Sequence, residues 1–287
     1  MERAVKLREA MALNRVPLAI VGFVLAGAYY PVLSYMILQW YSDPNYSHGF
    51  IVPVVSGYML YQNRVALKEV ILSPSAWGLP VIVIGLLAFL AGYLGTEYFT
   101  MRVSFLIVLA GIILFLFGKM AFKAVSMPFG YLFFMVPLPY IVYDAVAFPL
   151  KLMVAKYSVL FLQAVGVVVW RDGNIIMFPN IELEVADACS GMRSLFSLLA
   201  LAVALAYFTQ KTGFKRLILA LTAIPIAIAA NSIRVITTGI LAKHFGSKAA
   251  EGFFHEFAGL AVFAMAFAML VAVGVLLRKA GKDDKQA

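Results

Sequence analysis

Residues 217–241 read LILALTAIPIAIAANSIRVITTGIL, an apolar run whose one charged side chain is Arg234. A helix needs roughly 20 such residues to cross about 30 Å of hydrocarbon, so this stretch predicts a transmembrane helix. Comparable runs recur along the whole chain of 287 residues, of which 63% are hydrophobic and 13% charged. That composition lies outside the range of soluble globular domains. Working outward from 217–241 gives eight predicted spans, at 16–38, 48–62, 76–95, 103–118, 124–143, 192–210, 217–241 and 256–277. The second is short and contains Pro53, so it is expected to be tilted or re-entrant. The first shows no small-residue cleavage site and is read as a retained span. The expected fold is an all-α polytopic membrane protein of about eight transmembrane helices. With no internal repeat and no low-complexity linker in view, it is read as one integral domain over residues 1–287.

Two segments break this pattern. Residues 145–165 are apolar but place Lys151 and Lys156 as on one face of a helix lying at the membrane interface; a ninth span is the competing reading. Ahead of the sixth span stands VVVWRDGNIIMFPNIELEVADACSG, residues 167–191. Its β-branched and aromatic runs around Asp172-Gly173 predict a short hairpin, and 181–185 alternates apolar and acidic residues as a half-buried strand does. A two-strand hairpin alone is marginal in water, so it is expected to pack on neighbouring helices.

The net charge of +9 does not point to nucleic acid, because the cations sit in short loops between apolar runs. With a cytoplasmic N-terminus, the inside segments hold 15 of the 23 Lys and Arg residues and the outside segments 6. That bias places both termini in the cytoplasm and the hairpin on the extracytoplasmic side. A single cysteine excludes an internal disulfide or a cysteine-built metal cage, and His48, His244 and His255 are too scattered for a metal site. No cofactor is expected.

The lone cysteine sits in ADACSGMRSL. Asp187 or Ser190 can cap a helix starting beside Cys189, and Arg193 lies one turn further on. A helix N-terminus and a neighbouring cation both favour thiolate over thiol. The alternative is a small apolar core residue. Arg234 lies within a span, where an arginine costs about 2.5–3.5 kcal/mol on insertion scales and is functional by default; snorkelling to the headgroups is the plainer alternative. Asn231, three positions earlier, shares its helix face. His255 opens the last span in GFFHEFAG, with His244 as a rival on the same loop, and His48 in NYSHGFIVP follows the first span on the same side. An imidazole titrates near neutral pH and moves protons. Spacing does not choose among the three. Thiolate, intramembrane cation and imidazole together are the parts needed for covalent acyl transfer.

On VADACSGMRSL, NSIRV, FFHEFAG and NYSHGFIVP the chain resembles the exosortase/archaeosortase family of integral membrane transpeptidases. The resemblance implies a cysteine-dependent peptidase that recognises a C-terminal sorting signal of the PEP-CTERM type on membrane-anchored protein substrates. It implies cleavage through a thioester and transfer to a lipid or other envelope acceptor. By the same resemblance Cys189 is the nucleophile, Arg234 the stabilising cation and His255 the proton carrier, with Arg193, Asn231 and His48 in support. A transporter, a membrane transferase of exopolysaccharide export and a structural scaffold are the rival readings.

Overall fold

The structure is a computed structural model. It describes residues 15–179, 182–185, 191–245 and 253–280, without the side chains of 191–194, 242–245 and 253–258. The chain gathers into two compact units, Met1–Pro139 and Tyr140–Ala287.

In the first unit, helix α1 (Arg15–Ser42) buries Tyr29, Val32, Met36 and Trp40, a stripe at three- and four-residue spacing. Much of its remaining apolar surface, Phe23 and Val24 included, is exposed, as lipid contact requires. Asp43 caps a 3₁₀ turn, Pro44–Phe50, by accepting from the Asn45 amide at 2.9 Å. Then come α2 (Ile51–Gln62), α3 (Arg64–Lys68), α4 (Gly78–Leu94) and α5 (Tyr98–Tyr131). Helices α4 and α5 meet through glycine. A Cβ on Gly85 would stand 2.9 Å from the Val108 backbone nitrogen, and one on Gly92 3.0 Å from that of Met101. Gly78 lies as close to Gly111 and Phe115. These glycines recur every seven residues, so one bare stripe lets the backbones approach, the usual device where lipid removes the hydrophobic drive between helices.

Helix α5 is broken at Gly118, at φ +85° and ψ −177°. A side chain there would collide with the Ser73 carbonyl, and Ser73 in turn donates to Phe117 O at 3.4 Å. The predicted fourth span, 103–118, thus stops at this break. The predicted fifth, 124–143, is not one helix. Its first part completes α5, a 3₁₀ turn (Leu132–Met135) follows, and a new helix opens only at Tyr140. Pro137 and Pro139 lack amide donors and restrict the residues before them, which keeps helix from continuing across the gap.

The second unit comprises α6 (Tyr140–Ala164), strands β1 (Trp170–Asp172), β2 (Ile175–Met177) and β3 (Glu182–Glu184), then α7 (Gly191–Thr209), α8 (Gly213–Phe245) and α9 (Phe253–Lys279). The strands form an antiparallel meander in the order β1-β2-β3, with Asp172 opposite Ile175 and Ile175 opposite Glu184. Gly173, at φ +58°, supplies the left-handed turn position. Early residues of α6, such as Ala147, pack with Leu195, Ala223 and Ala230, while Val154, Val159 and Leu162 pack with Val235. The two helices therefore run in the same direction.

Among the described residues, five helices can cross a membrane by length and composition: Arg15–Ser42, Tyr98–Met135, Tyr140–Ala164, Gly213–Leu241 and Gly259–Lys279. Gly78–Leu94 and Leu195–Thr209 are shorter apolar helices. Helix α2, of 12 residues, rises only about 18 Å and is too short to span alone. The segment expected at the interface, 145–165, falls almost wholly in a helix of 25 residues, about 37 Å long and apolar enough to cross, as the competing reading of a further span requires. The chain is a multi-pass membrane protein, but the expected set of eight spans does not map one-to-one onto these helices.

The glycine stripe gives a direct test. Gly85→Leu overpacks the α4–α5 contact at a cost of about 1–3 kcal/mol, so the melting midpoint in detergent is expected to fall by roughly 2–10 °C. Gly57→Leu, at a glycine with nothing within 4 Å, is expected to leave it unchanged.

Candidate active site

Arg234 is buried to 3% exposure within α8. Asn231, Ser232 and, from α6, Ser158 are buried beside it in sequence or space, and the Ser158 hydroxyl donates to Ser232 O at 3.4 Å. Asn231 stands three residues before Arg234, so both positions share one helix face. The arginine head lies against α9. A Cβ built on Gly259 would sit 3.6 Å from Nη2, 3.7 Å from Nη1 and 3.8 Å from Cζ of Arg234. The guanidinium thus packs directly over Gly259, at a distance that a methyl group would just touch and a longer side chain would fill. His255 occupies the same helix four positions earlier, one turn away on the same face. The backbone thus places position 255 one turn from the residue that meets the Arg234 head.

The small sheet docks on the adjoining stretch of α8. Val235 shares a buried cluster with Ile176, Phe178 and Val185, and Phe178 presses its ring on Gly239, 2.6 Å from where a Cβ would be. Val185 is fully buried there and also donates its amide to Asn174 O at 2.9 Å. On the far side of the motif, Leu195 of α7 packs with Ala227 and Ala230 of α8. Both ends of the segment that carries Cys189 are thereby anchored on the part of α8 that holds Arg234. Cys189 itself lies outside the described residues, as do the side chains of Arg193, His244 and His255.

At the opposite end of this unit the cations collect. Lys215 Nζ donates to Leu277 O at 2.9 Å, Arg216 Nε to Gln210 O at 2.9 Å and Gln210 Nε2 to Gly274 O at 2.9 Å. With Lys211, Arg278 and Lys279 nearby in sequence, this end is basic. The start of α7, the end of α8 and the start of α9 share the other end.

His48 belongs to the first unit, half-buried in the 3₁₀ turn Pro44–Phe50. Burial pushes its pKa below the ordinary histidine value, against the opposing pull of hydrogen bonds with the backbone of Phe134 and Asn45. Among the described residues no group of histidines, cysteines or carboxylates could hold a metal ion. Sequence reasoning missed Gly259 as part of the site. Its signal was its placement one turn after His255, inside the motif already singled out.

A family model described as transmembrane exosortase matches residues 40–272. That range takes in the sheet, α7, α8 and the start of α9, with every motif quoted above from the second unit. The chain belongs to the transmembrane exosortase family. Searches of curated proteins and of solved structures return no match. In this exosortase Arg234 is an interior residue of a helix bundle, so the snorkelling alternative, which needs its head at the membrane edge, does not fit its burial.

Gly259 tests the arrangement. Gly259→Ala adds a methyl at ordinary contact distance from the guanidinium and is expected to keep function. Gly259→Leu displaces Arg234 and is expected to lower substrate processing by about 10²-fold, the scale of a misplaced catalytic group, at unchanged abundance on immunoblots of membranes.

Proposed function

We propose that this exosortase is a membrane-embedded cysteine transpeptidase acting on exported proteins that end in a PEP-CTERM-like sorting signal. The observation that carries the reading is the guanidinium of Arg234, buried against Gly259 one turn from His255, on the stretch of α8 where both anchors of the Cys189 segment pack. Cys189 is four residues from Val185, a reach of at most about 14 Å.

In this mechanism the Cys189 thiolate attacks the carbonyl carbon of the scissile peptide bond. The carbonyl π electrons move to oxygen, and Arg234, with Asn231 on its face, donates hydrogen bonds to that oxyanion. The tetrahedral intermediate collapses, the C–N bond breaks, and protonated His255 gives the departing amine its proton. A thioester to Cys189 remains. A nucleophile on a lipid or another envelope component, deprotonated by His255, then attacks it and restores the thiolate. Arg193 supports the thiolate, and His48 is a further supporting residue. No cofactor enters any step.

The site faces the extracytoplasmic side and both termini are cytoplasmic. This reading is supported by the basic end formed by Lys211, Lys215, Arg216, Arg278 and Lys279, since cationic segments are retained in the cytoplasm. A membrane-impermeant thiol reagent applied to intact spheroplasts is expected to label Cys189. A reporter fused after Leu277 that reads as extracytoplasmic overturns the orientation.

Cys189→Ala is expected to abolish processing of a tail-anchored substrate while the protein still inserts, and Cys189→Ser to be nearly as inactive. Activity in the Arg234 series is expected to fall from wild type through Lys to Ala, by about 10²–10³-fold for alanine. Lysine keeps the charge but not the planar fork of donors. Near-normal processing by Cys189→Ala sinks the enzyme mechanism and leaves a transport role ahead.

A further inference from the structure

The first unit holds a second buried cation that the proposed chemistry does not use. Arg102 is 5% exposed, on α5 four positions after its first residue, Tyr98. That places it about 6 Å along the helix axis, close to the level at which a span leaves the hydrocarbon.

Its surroundings form a polar and aromatic cradle. Nη2 donates to the Gln39 side-chain oxygen at 2.7 Å. The guanidinium carbon lies 5.8 Å from the ring centre of Tyr35 and 5.9 Å from that of Tyr98. Those two rings stack on each other at 4.8 Å with 22° between their planes, a cation–π arrangement on both. A guanidinium carries five N–H donors, and Nε and Nη1 make no hydrogen bond among the described residues. The acid at this helix end, Glu97, is committed to the helix itself. Its Oε1 accepts from Phe99 N at 3.0 Å and its Oε2 from Thr100 N at 2.7 Å. No carboxylate among the described residues ion-pairs with Arg102.

This enclosed cation at a span's end has an amide and two rings for company, and Glu97 attracts it without contacting it. The occupant has to bring negative charge and acceptor oxygens to the guanidinium N–H donors that Gln39 leaves unpaired, and it has to arrive from the membrane edge. We propose that Arg102, oriented by Gln39 and walled by Tyr35 and Tyr98, binds the phosphate of a membrane phospholipid headgroup. Arginine matches phosphate bidentately. Tyr35 and Tyr98 are half exposed, at 47% and 49%, and Leu38, on the same face of α1 as Tyr35, is exposed as well. Aromatic rings at this level belong among headgroups, and the adjoining apolar surface suits an acyl chain. The site is independent of the peptidase reading, because phospholipid phosphates line both leaflets.

The test is native mass spectrometry of the full chain in detergent, supplied with phosphatidylglycerol, diacylglycerol or inorganic phosphate. Wild type is expected to retain phosphatidylglycerol, and Arg102→Met to bind it about tenfold or more weakly, the scale of one charge-assisted hydrogen bond. Diacylglycerol, which lacks the phosphate, is expected not to bind, and millimolar inorganic phosphate not to displace the lipid. Equal lipid retention by Arg102→Met and wild type overturns the proposal, as does equal binding of diacylglycerol. Displacement by micromolar inorganic phosphate overturns the lipid source and makes this a site for a soluble anion. Each variant is matched to wild type by size exclusion and melting midpoint. If Arg102→Met does not fold, Arg102→Lys carries the test. Loss of the bidentate fork is expected to weaken binding roughly threefold or more, and unchanged affinity overturns the proposal.

Discussion

A guanidinium placed in the middle of an apolar helix has no inexpensive orientation, because insertion costs about 2.5–3.5 kcal/mol and the charge then needs polar company. In this chain that constraint sets the rotation of α8. Arg234 turns inward until it is 3% exposed, which brings Asn231 with it and presents the head to α9. Helix α9 receives the head at Gly259, where a long side chain would occupy the same space. With α8 fixed in rotation, Val235 and Gly239 are left to receive the sheet through Ile176, Phe178 and Val185. The position of His255, the docking of the sheet and the anchoring of the Cys189 segment all follow from where one charged group is allowed to lie.

The sheet illustrates the same dependence from the other side. Its strands have three residues each, and such a meander does not hold together alone in water. It persists because Ile176 and Val185 are wholly buried among residues of α6 and α8. A sheet held in this way has little freedom at its end, so the chain leaves β3 toward Cys189 from a fixed point. The acidic residues Glu182 and Glu184 stay on its exposed side, and Glu184 accepts from Asn174 Nδ2 at 3.0 Å.

The first unit meets the problem of packing in lipid by a different route. Gly78, Gly85 and Gly92 give α4 a bare stripe on which α5 rests backbone to backbone. Tyr29 closes the neighbouring contact, sharing a hydrogen bond of 3.0 Å with Ser104 and meeting Phe89 and Phe105 edge to face. Where α5 has to turn, Gly118 takes a backbone conformation that other residues adopt only under strain. Arg102 is the counterpart of Arg234 in this unit, and its partners are an amide and two rings.

Reading residues alone was enough to establish the membrane class, because runs of some 20 apolar residues have no other common explanation. It also located the sheet, since β-branched runs around Asp172-Gly173 carry their own local signal, and it marked Arg234 and Asn231 through the cost of polar groups inside a span. The exosortase motifs were equally legible, being short and local. The count and limits of the spans were not. Hydropathy ended a span at Gly118, where α5 breaks, but it ran on through 132–139, where proline ends the helix without lowering apolarity. Nor could it tell a helix lying at the interface from a further span at Tyr140–Ala164, because two lysines on one face suit either placement. Sequence by itself determined what medium the chain folds in and which side chains are chemically expensive there. Tertiary structure alone decided which helix shelters each of them, since shelter depends on a gap in a partner surface, such as that at Gly259, which no residue announces about another far along the chain.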